Sequence, residues 1–360
     1  MAKLRPLAFV LPQFHPIPEN DAWWGKGFTE WTNVTKAKPL FEGHYQPHLP
    51  TDLGFYDLRL PEARKEQADL AKAYGIHGFC YYHYWFNGKR LLHEPIDGML
   101  KQQDIEMPFI LCWANENWTR RWDGKDHEIL IKQEYSLADD KAHIRWLCEY
   151  IFVDSHYIKV DGKPVFMVYR HNLFPDIQKT LETWRRIATN EYNYKGLYLM
   201  MTESFNDRTN PETLGFDASV EFSPHAVIKN KLKESPNKSK WFNQLFKGRN
   251  ETAKLDIRDF KLGVTQSMQR VLPNYKLYRS VTPAWDNTPR KGENGVVALG
   301  SSPELYGQWL KQLKDQFEPY AKDENFIFIN AMNEWAEGNY LEPCIKYGRA
   351  YLEATQQALK

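Results

Sequence analysis

The residues best suited to chemistry lie in Phe326 to Pro343, FIFINAMNEWAEGNYLEP. Its first half is a short apolar run ending at Asn330, which reads as a buried parallel strand, and its second half turns polar, aromatic and glycine-containing. Two acids, Glu334 and Glu337, follow the strand, flanked by Asn333 and Trp335. On a helix they would share a face; Gly338 and the preceding strand favour a loop that aims both inward. Paired carboxylates beside an aromatic ring suit acid/base cleavage of a glycosidic bond, because repulsion and an apolar neighbour separate the two pKa values. The same pair also fits a solvated acidic loop.

The elements that would position these acids alternate along the chain. Leu7–Leu11 reads as strand one, followed by a long, proline-rich and aromatic loop, then a helix over Leu60–Tyr74. Further strands are expected at Gly78–Phe86, Met107–Trp113, Lys163–Tyr169, Leu197–Met201, Ala218–Phe222, Tyr278–Pro283 and Phe326–Asn330. Helices are expected near His93–Gln103, Ala138–Phe152, Asp176–Glu191, Leu255–Val271, Pro303–Phe317 and Lys346–Leu359. Eight βα units over 360 residues predict an α/β protein, a (β/α)8 TIM barrel with a long β1–α1 loop. Residues 1–360 then form one catalytic domain, with 223–278 an insertion between strands six and seven. A doubly wound open sheet is the competitor, but no glycine-rich phosphate fingerprint follows strand one.

In a barrel the active face is at the carboxyl ends of the strands, and hydrogen-bonding or ring-stacking residues fall there in every unit. The candidates for substrate binding are His15, His83, Tyr84, Trp85, Trp113, Asn115, Glu116, Trp118, Tyr169, Glu203, Trp285, Asn333 and Trp335. Asn115, Glu116 and Asn117 in WANENW either grip sugar hydroxyls between two tryptophans or cap a helix. Glu203 and Glu221 either touch a ligand or balance charge within the barrel. Tyr81, Tyr82 and Tyr84 alternate faces, so some are core in any reading.

A formal charge of +1 supplies no field for nucleic acid or an anionic membrane, the basic residues of 229–249 being a local patch. The 13 Trp and 20 Tyr favour a partner with flat apolar faces, such as a neutral oligo- or polysaccharide. Cys80, Cys112, Cys148 and Cys344 lack CxxC spacing, and neither His15 nor His83 has a partner at HxxxH or HxH spacing, so no metal and no cofactor is expected and the thiols read as reduced and buried. The apolar start is broken by Pro12 and Gln13 before reaching signal-peptide length, and no run approaches a membrane span. The chain therefore reads as soluble and cytoplasmic, or periplasmic if a leader has been removed. Its oligomeric state is left open.

The sequence FINAMNEWAEG resembles the strand-eight motif of glycoside hydrolase family 99, the endo-α-mannosidases and endo-α-mannanases, whose NEWxEG loop carries both catalytic carboxylates. The segments GFTEWTNV, QPHLPTDLGFYD, GIHGFCYYHYWF and CWANENWTRRWDG more closely resemble the WbsX-type branch, family-99-like proteins linked to bacterial lipopolysaccharide and O-antigen clusters. The resemblance implies a retaining, endo-acting hydrolase working through a 1,2-anhydro sugar. Glu334 would be the base toward the sugar 2-hydroxyl and Glu337 the acid/base. Ala336 stands where those mannosidases have histidine, which implies an altered subsite. A biosynthetic glycosyltransferase or transglycosidase, and a non-catalytic carbohydrate-binding barrel, are the rival readings.

Overall fold

The computed structural model describes residues 4–120, 125–229 and 255–360. Its centre is a ring of parallel strands: β1 (Arg5–Val10), β2 (Gly78–Phe86), β3 (Phe109–Trp113), β4 (Lys163–Val168), β5 (Tyr198–Glu203), β6 (Ala218–Glu221), β7 (Leu277–Tyr278 with Ser280–Val281) and β8 (Phe326–Ile329). Each bonds to its sequence neighbour, and β1 also bonds to β8 through Arg5↔Phe326 to Ala8↔Ile329. The circle closes at β7. Leu277–Tyr278 pairs with β6, Ser280–Val281 pairs with β8, and only Arg279 separates the two pieces. The expected TIM barrel is therefore the fold.

Strands buried on both faces carry two apolar stripes, one pointing to each side of the sheet. Leu7, Phe9, Cys80, Tyr82, Cys112, Val165, Met167, Met200, Val220, Phe326 and Phe328 fill the barrel interior. Their alternates, including Ala8, Val10, Phe79, Tyr81, Leu111, Trp113, Phe166, Leu199 and Ile327, pack outward against helix residues such as Trp184, Trp309 and Leu352. Gly78 permits close approach of β2 to β3, since a Cβ there would lie 2.5 Å from the Pro108 carbonyl oxygen. All four cysteines are free and buried.

The outer helices begin where local chemistry satisfies their first N–H groups. Asp176 caps Ile177–Tyr192 by accepting from Lys179 N, and Ser302 caps Pro303–Asp315 by accepting from Leu305 N. Helices Pro61–Ala73, Glu94–Lys101 and Ala350–Leu359 are shorter than the spacing predicts by up to four residues at an end, the last of them at its N-terminal end alone. The helix expected over Ala138–Phe152 is Leu137–Trp146 continued by a π-helical turn, Leu147–Ile151.

Three differences bear on the site. The long first loop contains two short helices, Pro18–Trp24 and Glu30–Lys36, the second opened by a Thr29/Thr32 capping box. Trp118–Arg120 pairs with Lys125–Ile131 as a hairpin above β3. The helix expected over Leu255–Val271 is confined to Phe260–Met268, because Asp256–Asp259 is drawn into a small sheet with Val296–Leu299 and Trp285–Asp286. A strand pairing that distant in sequence overrides local helical spacing. Residues 230–254 of the expected insertion lie outside the described residues.

Candidate active site

A cavity of about 700 Å³ opens at the carboxyl ends of the strands. Every barrel strand or the loop after it supplies lining: Leu11 and Gln13 follow β1, Tyr82 and Tyr84 end β2, Ala114 follows β3, and Tyr169 follows β4. Phe205, Phe222, Trp285 and Glu334 with Glu337 follow β5, β6, β7 and β8.

The acid loop is held from behind by its own neighbours. Asn333 accepts from Leu11 N at 2.8 Å and donates to Leu11 O at 3.1 Å, which ties the exit of β8 to the exit of β1. Trp335 stacks on Tyr340 with centroids 3.8 Å apart and donates to Glu342 at 2.6 Å. Between them, Asn333–Glu334 pairs with Asn339–Tyr340, and Trp335–Glu337 makes one 3-10 turn. Gly338 ends the turn at φ +59, its Cβ position only 3.0 Å from the Asp286 Cβ, so both backbone and space call for glycine. The two flanking side chains are thereby buried, and Glu334 and Glu337 face the cavity.

A guanidinium joins the acids. Arg290 donates through Nη1 to Glu337 at 2.5 Å and through Nη2 to Glu334 at 2.9 Å. The same Nη2 donates at 2.8 Å to Glu30, whose accepting oxygen also takes Ala336 N–H at 2.9 Å. Glu30 is fully buried behind the pair, whereas the Glu337 side chain is 20% exposed and that of Glu334 is 7% exposed. Arg290 rides on the turn Thr288–Lys291, which Asp286 caps by accepting from Thr288 N at 3.0 Å and Thr288 Oγ1 at 2.7 Å.

Burial raises the Glu334 carboxyl to about 8, helped by repulsion from Glu337 and opposed by Arg290. Burial raises Glu337 as well, again against Arg290. The pair therefore keeps at least one proton near neutral pH beside a fixed positive charge. Burial disfavours a charged Arg290, but Glu30, Glu337 and Glu334 outweigh it. Such a site can hold one proton to give and one carboxylate to receive.

Of the residues singled out from sequence, Tyr84, Glu116, Trp118, Tyr169, Trp285, Glu334 and Glu337 line the cavity. Asn333 and Trp335 stand behind the acids as described. The remainder lie elsewhere. His83, Trp85 and Trp113 point outward from the barrel: His83 Nε2 lies 2.9 Å from His143 Nε2, Trp85 stacks on His143, and Trp113 donates to the Trp85 carbonyl. Strand alternation is the reason, because Tyr84 between His83 and Trp85 takes the inner face. Asn115 clamps the Arg170 backbone and Tyr135. Glu203 is bound by Arg270 and Tyr275, and Glu221 by Arg270 and Arg279, which is charge balance within the barrel. His15 is fully buried and outside the lining.

Sequence reasoning missed Arg290 and Glu30. Glu30 carries a faint signal, an acid preceding tryptophan in GFTEWTNV as Glu334 does in NEW. Arg290 carries none, since only the fold brings it to the acids. Trp23 and Trp24 were also missed; they reach the cavity on the first short helix, Trp23 edge-on to Trp118 with centroids 5.9 Å apart. Among the described residues no group of three His, Cys, Asp or Glu could hold a metal ion, and no helix is long and apolar enough to cross a membrane.

The whole architecture is similar to that of a solved glycoside hydrolase-like protein, at TM-score 0.60 and 13% identity, covering 100% of this chain and 95% of the other. It is also similar to the GH99 endo-α-mannosidase from Bacteroides thetaiotaomicron, at TM-score 0.57 and 14% identity, covering 98% and 96% of the two chains. At these identities the likeness is one of fold. In sequence the chain is 44% identical over 354 residues to WxcX proteins from two strains of Xanthomonas campestris pv. campestris, covering 98% of this chain and 49% of each relative. It thus spans about half the length of the curated relatives it matches. A family model described as Glycosyltransferase WbsX matches residues 6–355, nearly the entire barrel, and the chain belongs to that family.

Proposed function

We propose that this barrel is a carbohydrate-active enzyme, a retaining and endo-acting glycoside hydrolase that cleaves an oligo- or polysaccharide with Glu334 and Glu337. The observation that carries the reading is the pair itself: two acids on one turn, both lining a sugar-sized aromatic cavity and both bonded to Arg290. Following the family 99 resemblance, ionised Glu334 takes the proton of the sugar 2-hydroxyl as the 2-oxygen bonds to the anomeric carbon. The glycosidic C–O bond breaks, and Glu337 gives its proton to the leaving oxygen. Glu337 then takes a proton from water, whose oxygen opens the 1,2-anhydro ring, and Glu334 returns its proton to the 2-oxygen. The raised carboxyls supply the one proton that the first step consumes; burial raises Glu334 the more in the free site, so the scheme requires that proton to sit on Glu337 once the sugar is bound. Arg290 keeps the acid without the proton ionised, and Glu30 holds Arg290 and the Ala336 amide in place.

The test uses Glu334→Gln and Glu337→Gln on defined bacterial glycans, with products read by mass spectrometry. Each variant is expected to lose on the order of 10²–10⁴-fold in kcat while melting as the parent does. Full turnover in either one rejects the assignment.

The family description favours a second reading, a glycosyltransferase acting in surface-polysaccharide assembly. Incubation with nucleotide sugars or glycosyl phosphates plus an acceptor separates the two. Transfer without hydrolysis would support the transferase.

A further inference from the structure

The cavity wall that follows β4, β5 and β6 is made of rings. Tyr169, which the Glu337 charge reaches, meets Phe222 with centroids 5.1 Å apart, and His225 packs against Phe222 at 5.0 Å and Phe205 at 4.4 Å. All four line the cavity. His225 rides on the short helix Ser223–Val227, which is fixed at both ends. Ser223 Oγ donates to the Ser280 carbonyl at 2.5 Å, and Val227 is backed by Gly263, where a Cβ would lie 2.6 Å from the Val227 Cα.

The neighbouring backbone is bent to meet this histidine. Phe205 stands at φ +54 and ψ +31, a left-handed conformation that a bulky side chain rarely adopts and keeps only where its surroundings hold it. There its N–H donates to His225 Nδ1 at 2.8 Å, and Arg170 lies over its ring at 4.4 Å. That bond fixes the imidazole. A backbone amide can only donate, so Nδ1 carries no proton. Burial, with the charge of Arg170 second, lowers His225 to about 4, so near neutral pH its single ring proton is on Nε2. Among the described residues this N–H has no acceptor, and the ring keeps exposed surface in the cavity wall. Phe205 is 52% exposed beside it. An uncharged donor next to half-covered rings suits a neutral sugar, whose C–H face packs on the rings while a hydroxyl oxygen takes the hydrogen bond. Arg170, the cation against these rings, is paired with Glu116 at 2.6 Å and does not call for an anion.

We propose that this wall is a sugar subsite in which His225 Nε2–H donates to a hydroxyl oxygen of a neutral hexose whose C–H face lies against Phe205 and Phe222, which makes His225 a specificity-determining residue. The subsite deepens the glycan reading and rests on it, so its test begins without any ligand.

Nitrogen-15 NMR of the free protein, with His225 assigned from His225→Phe, is expected to show Nε2 protonated and Nδ1 bare near neutral pH. The opposite tautomer overturns the subsite alone. Methyl glycosides of glucose, galactose and mannose are then titrated in, together with their monodeoxy derivatives. At least one parent hexoside is expected to move the His225 Nε2 resonance, and loss of one particular hydroxyl should weaken its binding about 3- to 10-fold. In His225→Phe the parent should bind only as well as that deoxy sugar, a coupling that a purely structural role for His225 would not produce. Thermal melting reports whether the variant is folded, and the wild-type resonance tests the contact even where it is not. Binding that leaves the Nε2 resonance unmoved, or a deoxy penalty unchanged in folded His225→Phe, overturns the subsite and leaves the glycan reading standing. Absence of binding by every hexoside also overturns the subsite, and the glycan reading is then decided by the turnover test of Glu334 and Glu337 alone.

Discussion

Two aromatic regions of this molecule lie a single residue apart along β2. Tyr82 and Tyr84 face the mouth of the barrel and meet the acid pair's cavity. His83 and Trp85 face the opposite way into a layer with buried His143 and Trp113 and half-buried Trp146, where His83 stacks on Trp146 at 5.5 Å and Trp85 donates to Asp139 at 2.9 Å. Both regions are dense in rings and contain polar atoms, and nothing in their composition separates them. The mouth leaves its rings half-covered: Tyr84 and Trp118 keep exposed surface, with centroids 5.4 Å apart, edge to face. In the outer layer His83 Nε2 meets His143 Nε2 and Trp113 donates to the Trp85 carbonyl, while His143 Nδ1 is buried without a partner. Aromatic richness therefore supports a sugar site only on the face where rings remain uncovered.

That contrast can be broken most directly at the acids. Glu337→Gln and Glu334→Gln strike the mouth alone, so kcat should fall by on the order of 10²–10⁴-fold with little change in melting. Arg290→Ala should also reduce kcat strongly. Removal of the guanidinium that opposes their protonation raises both carboxyls further and moves the rising limb of the pH–rate profile to higher pH. An unshifted limb would mean that Arg290 does not govern the pair.

The outer layer should answer in the other currency. Trp85→Ala empties a site that is 4% exposed and should cost about 3–5 kcal/mol of stability, measured by denaturant unfolding, while kcat per folded molecule is kept. A loss of kcat with stability intact would return Trp85 to the substrate. Trp118→Ala, at the mouth, is expected to do the reverse at smaller scale: roughly a 10-fold rise in KM from lost stacking, with the melting temperature nearly unchanged.

A further contrast is in the pH dependence of stability, where the two regions pull oppositely. Glu334, raised to about 8 from 4.5, contributes stability that is complete below about 4.5 and is lost as pH rises through 8. His83, lowered to about 3 from 6.5 by burial, contributes stability that is present above 6.5 and is lost as pH falls toward 3. Melting followed from pH 4 to pH 9 should therefore pass through a maximum. Glu334→Gln should flatten its alkaline side and His83→Phe its acid side. If both variants keep the parent curve, the titrating groups are others.

Much of the barrel was legible because its strands are short apolar runs separated by strong helices and caps. Gly78–Phe86 matches to the residue, and the alternation of eight units predicts the closed ring. The acid loop was legible too, since Gly338 and the run into Asn330 set a turn after a strand. Local pattern misled where distant pairing decides the backbone, as in Asp256–Asp259, extended only because Val296–Leu299 is there to receive it. The helices within the first loop escaped notice because, at seven residues each, they are too short to display periodicity.

The sequence by itself determined the strands of the barrel and most of its outer helices, that they alternate, and that two acids follow the last strand, because all of these depend on residues close together in the chain. The face of each strand that looks into the mouth was decided by the tertiary structure, since strands buried on both sides carry no polar alternation to mark the inner one. So was the company of the acids. Glu30 and Arg290 are 260 positions apart, and only closure of the barrel brings them to the same two carboxyls.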